Sequence, residues 1–233
     1  MNAQMNAQTN TQLETLLRHP GLWRGDRPEV PARPGMATGH GALDALLPGG
    51  GWPRGALVEL MLQEEGIGEL SLVLPALAAL SREERWIALI APPHIPYAPA
   101  LAAAGLELSR LLVVRTTNTA DTLWAMEEAL RSGACAAVLA WPAAISERAQ
   151  RRLQLAAEEG GSTAIWFIPA RQAASASFAT LRLGLAPAPD GLEIRFVKRR
   201  GGGAVAPLVL DLPNALARPA FPRPGAAGLR AVS

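Results

Sequence analysis

Apolar runs of strand length alternate with helical patterns through the middle of this 233-residue chain. Five runs have the length and composition of strands that are buried on both faces, namely residues 56–62, 86–91, 111–115, 136–141 and 163–168. Helical composition or periodicity fills the segments between them, at residues 69–81, 97–104, 121–132 and 146–159. For the last of these helices, Ser146 is the predicted N-cap and Gly160-Gly161 the predicted end. Strands that alternate with helices in this way predict a parallel sheet with right-handed crossovers.

The C-terminal part of the pattern differs, because no helix separates its apolar runs. These runs lie at residues 181–186, 192–198 and 207–212. A PAPDG segment at residues 187–191 joins the first two, and three glycines at residues 201–203 join the last two, as in β-hairpins. We therefore predict an α/β domain whose mostly parallel sheet is flanked by helices and extended by antiparallel strands at one edge.

The two ends of the chain lie outside this pattern. The first twelve residues are polar and repeat MNAQ, so Met5 is a candidate start beside Met1, and we expect this stretch to be disordered. Residues 13–18 (LETLLR) predict a short amphipathic helix, which a proline-rich linker follows. We therefore divide the chain into an N-terminal region at residues 1–35, a domain at residues 36–212 and a flexible basic tail at residues 213–233.

Positive charge is concentrated near the C-terminal end, although the whole chain has a net charge of only +2. Residues 1–194 hold 15 basic and 19 acidic side chains, whereas residues 195–233 hold 7 basic side chains and 1 acidic one. Such a segment binds nucleic acid or an acidic partner surface, or it is a solvated tail, and composition leaves these alternatives open. Lys198 is the only lysine among the 22 basic residues, so any reaction that requires a lysine depends on it.

The residue counts exclude several classes of protein. Cys135 is the only cysteine, so an internal disulfide is excluded, and with three histidines there is no zinc-ligand cluster. The longest uncharged stretch, residues 86–106, contains four prolines and so does not resemble a membrane helix. The polar start lacks the apolar run of a secretory leader. We therefore expect a soluble cytoplasmic protein without a metal or cofactor.

The turn between the first predicted strand and helix, QEEGIGEL at residues 63–70, has the position of a phosphate-binding loop. With Gly68 as the second glycine of such a loop and Gly66 inside it, Glu69 replaces the lysine and Leu70 replaces the hydroxyl residue. Each carboxylate close to a triphosphate costs about 1 kcal/mol in water and more when buried, so we expect no ATP binding. Glu69 either fills the anion site with the protein's own carboxylate or is an ordinary surface residue at a helix start.

Three groups of motifs follow one another over about residues 36–212. They are TG and LD in residues 38–44 with GGWPRG and LVEL in residues 50–60, LIAPPH at residues 89–94, and ALRSGA with VL in residues 129–139. In order and spacing they resemble the motifs of the RecA family. This resemblance to the RecA family implies a RecA-like fold. It also implies that Pro93 stands where the family has its general base and that Trp141 stands where the family has its Walker B aspartate. Compared with the family, both DNA-binding loops are shorter in this chain. The resemblance therefore implies that the fold is inherited without the ATPase activity.

Five further motifs narrow the resemblance to one branch of the RecA relatives. They are GLWRG at residues 21–25, LPGGGWPRG at 47–55, GIGEL at 66–70, APPHIPYAP at 91–99 and KRRGG at 198–202. These motifs resemble those of the ImuA family. The resemblance implies a non-enzymatic accessory protein of the SOS-induced translesion synthesis complex, the mutasome, which supports damage-induced mutagenesis. The implied partners are ImuB, an inactive relative of Y-family polymerases, and through the complex an error-prone DnaE-type polymerase. The alternative is a SulA-like cell-division inhibitor with a related fold.

Two sets of residues are candidates for binding. The candidate nucleic-acid contacts are Arg171, Lys198, Arg199 and Arg200, and at most we expect weak, salt-sensitive binding of DNA. The candidate partner contacts are Leu16, Leu17, Leu22, Trp23 and Trp52. Because RecA subunits place an N-terminal helix and strand on a neighbouring core, we expect the N-terminal arm to mediate self-association, a contact with RecA or docking of the polymerase-like partner. The alternative is that the arm folds back on its own sheet.

His94 ends a predicted strand in a proline-rich segment. We predict a structural role for it, because we expect no nearby serine or carboxylate that could orient its ring for catalysis.

Overall fold

The computed structural model describes residues 34–142, 145–172, 176–199 and 205–212. In chain order, the first half contains helix α1 (Gly41–Asp44), strand β1 (Leu57–Leu62), helix α2 (Glu69–Ser81), strand β2 (Trp86–Ile90), helix α3 (Ala98–Ala103) and strand β3 (Leu111–Val114). The second half contains helix α4 (Thr119–Arg131), strand β4 (Cys135–Ala140), helix α5 (Glu147–Gly160) and strands β5 (Thr163–Pro169), β6 (Leu181–Ala188), β7 (Gly191–Arg199) and β8 (Leu208–Leu210). Single 3₁₀ turns precede β3, at Leu108–Arg110, and follow β5, at Ala170–Gln172.

The eight strands of the described residues form one sheet in the order β3-β2-β4-β5-β1-β6-β7-β8. All neighbours from β3 to β6 are parallel, whereas β7 runs antiparallel to both β6 and β8. The predicted mostly parallel sheet with antiparallel strands at one edge is confirmed.

Helices cover both faces of the sheet, and each face has its own apolar core. On one face α2 packs through Leu72 and Leu77 against β-strand residues such as Leu60. On the other face α4 and α5 pack through Met126 and Leu153, among others. Strands β1 and β4 are buried along their whole length, because their side chains enter both cores. This double burial explains why the sequence shows continuous apolar runs there rather than alternation.

The ends of the longer helices have the expected caps. The Ser146 side chain accepts a hydrogen bond from the Ala149 N–H at 3.3 Å at the start of α5, as predicted, and Gly161 ends this helix with a φ of +60°. At the start of α4, Asn118 accepts from the Asp121 N–H at 2.9 Å.

The connection between β6 and β7 is tighter than predicted. Pairing of the two strands continues to Ala188 and Gly191, so Pro189 and Asp190 alone form the turn, where the sequence predicts a five-residue loop. Gly191 has a φ of +137°, and a Cβ atom there would lie 2.0 Å from the carbonyl oxygen of Leu210 in β8. Only glycine fits this close approach of β8.

Several predicted features lie outside the described residues. They are the helix at residues 13–18, the linker up to residue 33, the glycine loop at residues 201–203 and the tail at residues 213–233. Within the described part of the chain, none of the helices has the length and apolar character needed to cross a membrane.

Candidate functional site

The turn between β1 and α2 is closed by the protein's own carboxylate. Gly66 and Gly68 have left-handed backbone conformations, with φ of +79° and +103°, and Gly68 is the N-cap of α2. Glu69 is the first residue of α2, and its Oε1 accepts a hydrogen bond from the Gly66 N–H at 3.1 Å. Because the N-terminal end of a helix carries partial positive charge, it favours this carboxylate. A phosphate at this helix end would meet the negative side chain of Glu69.

The second carboxylate oxygen of Glu69, unlike the first, accepts no hydrogen bond from the described residues. The side chain is 9% exposed, and Oε2 is buried with no hydrogen-bond donor among the described residues. A buried carboxylate oxygen without a donor loses the hydrogen bonds that water would give it. Glu69 is therefore a buried acceptor at the position where the sequence predicts a degenerate phosphate-binding loop.

Rings without ionisable groups are found at Trp141 and Pro93, the two positions at which the resemblance to the RecA family places the Walker B aspartate and the general base. Trp141 follows β4 and stacks on Phe167 of β5, with ring centroids 4.7 Å apart and planes 14° apart. Pro93 lies exposed in the segment after β2. Neither side chain accepts a proton or binds a metal. In the part of the chain that the structure describes, no group of three or more His, Cys, Asp or Glu side chains is placed to hold a metal ion.

The prediction that no carboxylate lies near His94 is wrong. The Nε2 atom of His94 lies 3.6 Å from Oε2 of Glu65. The two residues meet because they follow β1 and β2, and the carboxyl ends of these parallel strands lie at the same end of the sheet. Both side chains are largely exposed, at 82% and 62%, so this pair is a weak surface contact.

An apolar groove opens next to Glu69 and has a volume of about 400 Å³. It lies between α2, α3 and the ends of β2 and β3, and its walls include Leu70, Leu74, Leu77, Leu89, Leu101 and Trp141. The polar side chains in the lining are Glu69, His94 and Tyr97. The sequence analysis missed this groove, because it forms from segments that are distant in the sequence.

The structure separates the candidate nucleic-acid residues. The Lys198 ammonium group donates to the carbonyl oxygen of Ser177 at 2.8 Å. The Arg199 guanidinium group donates to the carbonyl oxygen of Leu46 and lies 5.8 Å from the ring centroid of Phe196. Neighbouring residues of a strand point to opposite faces, so Lys198 and Arg199 do not share one surface. Arg171 is exposed in the 3₁₀ turn after β5, and Arg200 lies outside the described residues.

A buried ion pair that sequence reasoning missed joins β1 to β6. Arg182 Nε donates to Glu59 Oε2 at 2.6 Å, and the exposed fractions of the two residues are 6% and 1%. The Ser177 hydroxyl donates to Glu59 Oε1 at 2.6 Å, and Arg182 Nη2 donates to the carbonyl oxygen of Gln172 at 3.3 Å. The pair therefore contacts Gln172 and Ser177, which lie in the stretch at about residues 170–177. The resemblance to the RecA family implies that this stretch is the shortened second DNA-binding loop. In the sequence, this ion pair is indicated only by a single charged residue in each of two apolar runs, Glu59 in residues 56–62 and Arg182 in residues 181–186.

The edge strand β3 carries two exposed apolar side chains and has one neighbour among the described strands. Leu112 and Val113 are 43% and 39% exposed, and they point to opposite faces of the sheet. We call these two side chains, together with the open backbone edge of β3, the edge surface. Other large apolar side chains are exposed on other elements, namely Trp86, Ile95, Tyr97, Leu108 and Trp124.

The prediction that Trp52 contacts a partner is wrong. Its side chain is fully buried, at 0% exposure, because its backbone pairs with Met36 and places the indole in the core beside α2. The other candidate partner contacts, Leu16, Leu17, Leu22 and Trp23, lie outside the described residues.

Comparisons with known proteins give the following relatives. The family model for the cell division inhibitor SulA matches residues 55–164. Protein ImuA from Caulobacter vibrioides is 31% identical over 174 residues, which cover 68% of this chain and 70% of the relative. The cell division inhibitor SulA from Yersinia enterocolitica is 32% identical over 108 residues, covering 46% of this chain and 64% of the relative. The crystal structure of SulA from Pseudomonas aeruginosa covers 48% of this chain and 97% of that chain, with 31% identity and a TM-score of 0.42.

Proposed function

The chain belongs to the ImuA family, and from this premise we propose that it is a non-enzymatic accessory protein of the SOS-induced translesion synthesis complex. The observation that carries the proposal is the similarity to ImuA over 68% of the chain. The position of Glu69 supports it, because a carboxylate at the start of α2 disfavours a bound phosphate. A protein of this kind acts by holding other proteins together rather than by hydrolysing a nucleotide.

The proposed partner is an ImuB-type relative of the Y-family polymerases, and through it the chain joins an error-prone DnaE-type polymerase in the cytoplasm. The edge surface supports such a role, because Leu112 and Val113 offer apolar contacts on both sides of an unpaired strand edge. A partner strand that pairs with β3 would gain backbone hydrogen bonds and these side-chain contacts together. The N-terminal residues Leu16 and Leu17 are a second proposed contact, for the partner or for another copy of the chain.

The experiment that tests this function is capture of the tagged full-length chain from DNA-damaged cells that contain the ImuB-type protein. We expect the partner to be captured by the wild type and lost with Leu112→Asp on β3. Leu155→Asp is the matched control, because Leu155 on α5 is also exposed, at 54%, and faces solvent elsewhere on the domain. Deletion of the gene should lower damage-induced mutation, and wild-type mutation rates in the deletion strain would contradict the proposal.

Weak DNA binding is a further part of the proposal. The charges at residues 195–233, which include Lys198, would contact phosphates without reading bases, so the affinity should fall steeply with salt. Filter binding at increasing salt tests this, and an affinity independent of salt would contradict it.

Inhibition of cell division is the second candidate function, because the SulA family model matches residues 55–164. Overproduction of the chain in a strain without the ImuB-type protein distinguishes the two functions. Filamentous cells and inhibition of the division GTPase in vitro would favour the second function, whereas normal division would favour the first.

A further inference from the structure

The apolar groove beside Glu69 has the properties of a binding site for a segment with one cationic group. Its volume of about 400 Å³ accommodates one or two large side chains, and its walls are apolar apart from Glu69, His94 and Tyr97. Tyr97 and His94 are exposed, whereas Glu69 is more than nine-tenths buried. The buried polar group that an occupant would meet is therefore the Glu69 carboxylate.

The hydrogen bonding of Glu69 specifies what the occupant must carry. Its Oε1 already accepts from the Gly66 N–H at 3.1 Å, while Oε2 has no donor among the described residues. An occupant that brings an N–H donor with positive charge would satisfy this oxygen, and such charge-assisted hydrogen bonds are among the stronger ones in proteins. The groove thus selects a segment that combines apolar bulk with a basic side chain.

We propose that Leu22-Trp23-Arg24, from the part of the chain that precedes the described residues, occupies this groove in the same molecule. Trp23 supplies the apolar bulk, because an indole buries about 150–250 Å² of surface. Arg24 supplies the cationic donor, and a guanidinium group matches the geometry of a carboxylate. The three consecutive residues therefore carry both properties that the groove requires.

Near its start, the described chain packs against α2, the helix that forms one wall of the groove. Gly39 packs against Pro75 of α2, and His40 Nε2 lies 3.1 Å from the Leu72 carbonyl oxygen on the same helix. The groove lies along another side of α2, and a helix is about 10–12 Å across. Residues 25–33 span about 28–30 Å when extended, which is more than twice the diameter of the helix.

Attachment to the same chain also favours this occupant over a second copy. A short tether gives a local concentration of about millimolar, whereas a second copy is present at its bulk concentration. The inference goes beyond the proposed function, because it concerns the free chain and requires no polymerase partner.

Cysteine cross-linking of the full-length chain tests the proposal. Gly25→Cys places a thiol next to Arg24, and Ala100→Cys places a second one on the wall of the groove in α3. A short bis-maleimide at about micromolar protein should join the two thiols within one molecule. The native Cys135 is buried, and its replacement by alanine in both pairs removes it from the reaction. Gly25→Cys with Leu155→Cys is the control pair, because Leu155 is exposed on α5, which packs on the other face of the sheet from α2. Equal cross-linking of the two pairs, or cross-linked dimers as the main product, would overturn the proposal.

Charge variants test the predicted contact between Arg24 and Glu69. Arg24→Met should lower the rate of groove cross-linking about tenfold, and Glu69→Gln should do the same. The two substitutions together should lower it no further, because they remove one interaction. Glu64→Gln, an exposed carboxylate of the same turn, is the matched control and should have no effect. Because Arg24 precedes the described domain in the sequence, its variant gives a result even if Glu69→Gln misfolds, and an unchanged rate in Arg24→Met would refute the contact.

Discussion

Replacement of Arg182 by methionine should lower the free energy of unfolding by about 3–5 kcal/mol, because it leaves a buried carboxylate without its cation. Glu59 is 1% exposed and Arg182 is 6% exposed, so water does not solvate the Glu59 carboxylate once the guanidinium group is gone. The Arg182 Nε lies 2.6 Å from Glu59 Oε2, which is the geometry of a charge-assisted hydrogen bond. After the substitution, Ser177 still donates to the other oxygen of Glu59 but brings no positive charge.

Removal of both charges should lower the free energy of unfolding much less than removal of one charge. The variant with Glu59→Met and Arg182→Met puts apolar side chains of similar volume in the same place, and such replacements of buried ion pairs are often close to neutral. In a domain of this size, about 2–4 °C of melting temperature corresponds to 1 kcal/mol, so Arg182→Met should melt about 6–20 °C below the wild type. The double variant should recover most of that difference.

The assay is thermal and urea denaturation at neutral pH, followed by circular dichroism. The matched control is Arg195→Met on β7, because Arg195 pairs with Glu193 at the surface, where side-chain exposures are 67% and 25%. Loss of an exposed pair should cost at most about 1 kcal/mol. A cost for Arg182→Met no larger than for Arg195→Met, or a double variant as unstable as the single one, would refute this account of the buried pair.

Three further predictions concern the nucleotide site, the dependence of stability on pH and the basic tail. Titration calorimetry with Mg-ATP at millimolar nucleotide should give no heat of binding, because the Glu69 carboxylate lies at the start of α2, and a micromolar Kd would contradict this. Burial acts to raise the pKa of Glu127, but hydrogen bonds from Arg131 and Arg152 outweigh it and hold that pKa below its usual value of about 4.3. The contribution of Glu127 to stability is therefore full above about pH 4.3 and is lost as the pH falls through the lowered pKa. The difference in unfolding free energy between the wild type and Glu127→Gln should be smaller in urea titrations at low pH than at neutral pH, and equal differences would contradict this assignment. Deletion of residues 213–233 should weaken DNA binding and reduce the dependence of its affinity on salt, whereas an unchanged dependence would place the DNA site elsewhere.

The parallel part of the fold is predictable from the sequence, because each doubly buried strand is a continuous apolar run and each long helix has a recognisable end. The predicted helix at residues 69–81 has the same bounds as α2, and Ser146 caps α5 as expected. The length of the β6–β7 hairpin is not predictable in this way. Pro187 and Ala188 show no alternation that indicates a strand, yet their backbone continues to pair with β7.

The site is only partly predictable, because its contacts join residues that are far apart in the sequence. The degenerate loop is visible in Glu69 and Leu70, since the motif that they replace is local. The pair between Glu59 and Arg182 spans 123 positions, and nothing in the sequence pairs one charge with the other. Trp52 lies in a glycine-rich turn that resembles an exposed loop, and only its backbone pairing with Met36 explains the burial of its side chain.

The edge strand β3 has a consequence for how the chain is handled in a cell. Within β3, the sequence LLVV contains no proline or charge, which are the residues that usually protect an unpaired strand from intermolecular pairing. The strand is only four residues long, and Arg110 and Arg115 flank it, so its short length and these two charges are what limit pairing between copies. Replacement of either arginine by an apolar residue would therefore make the chain more prone to aggregate at high concentration.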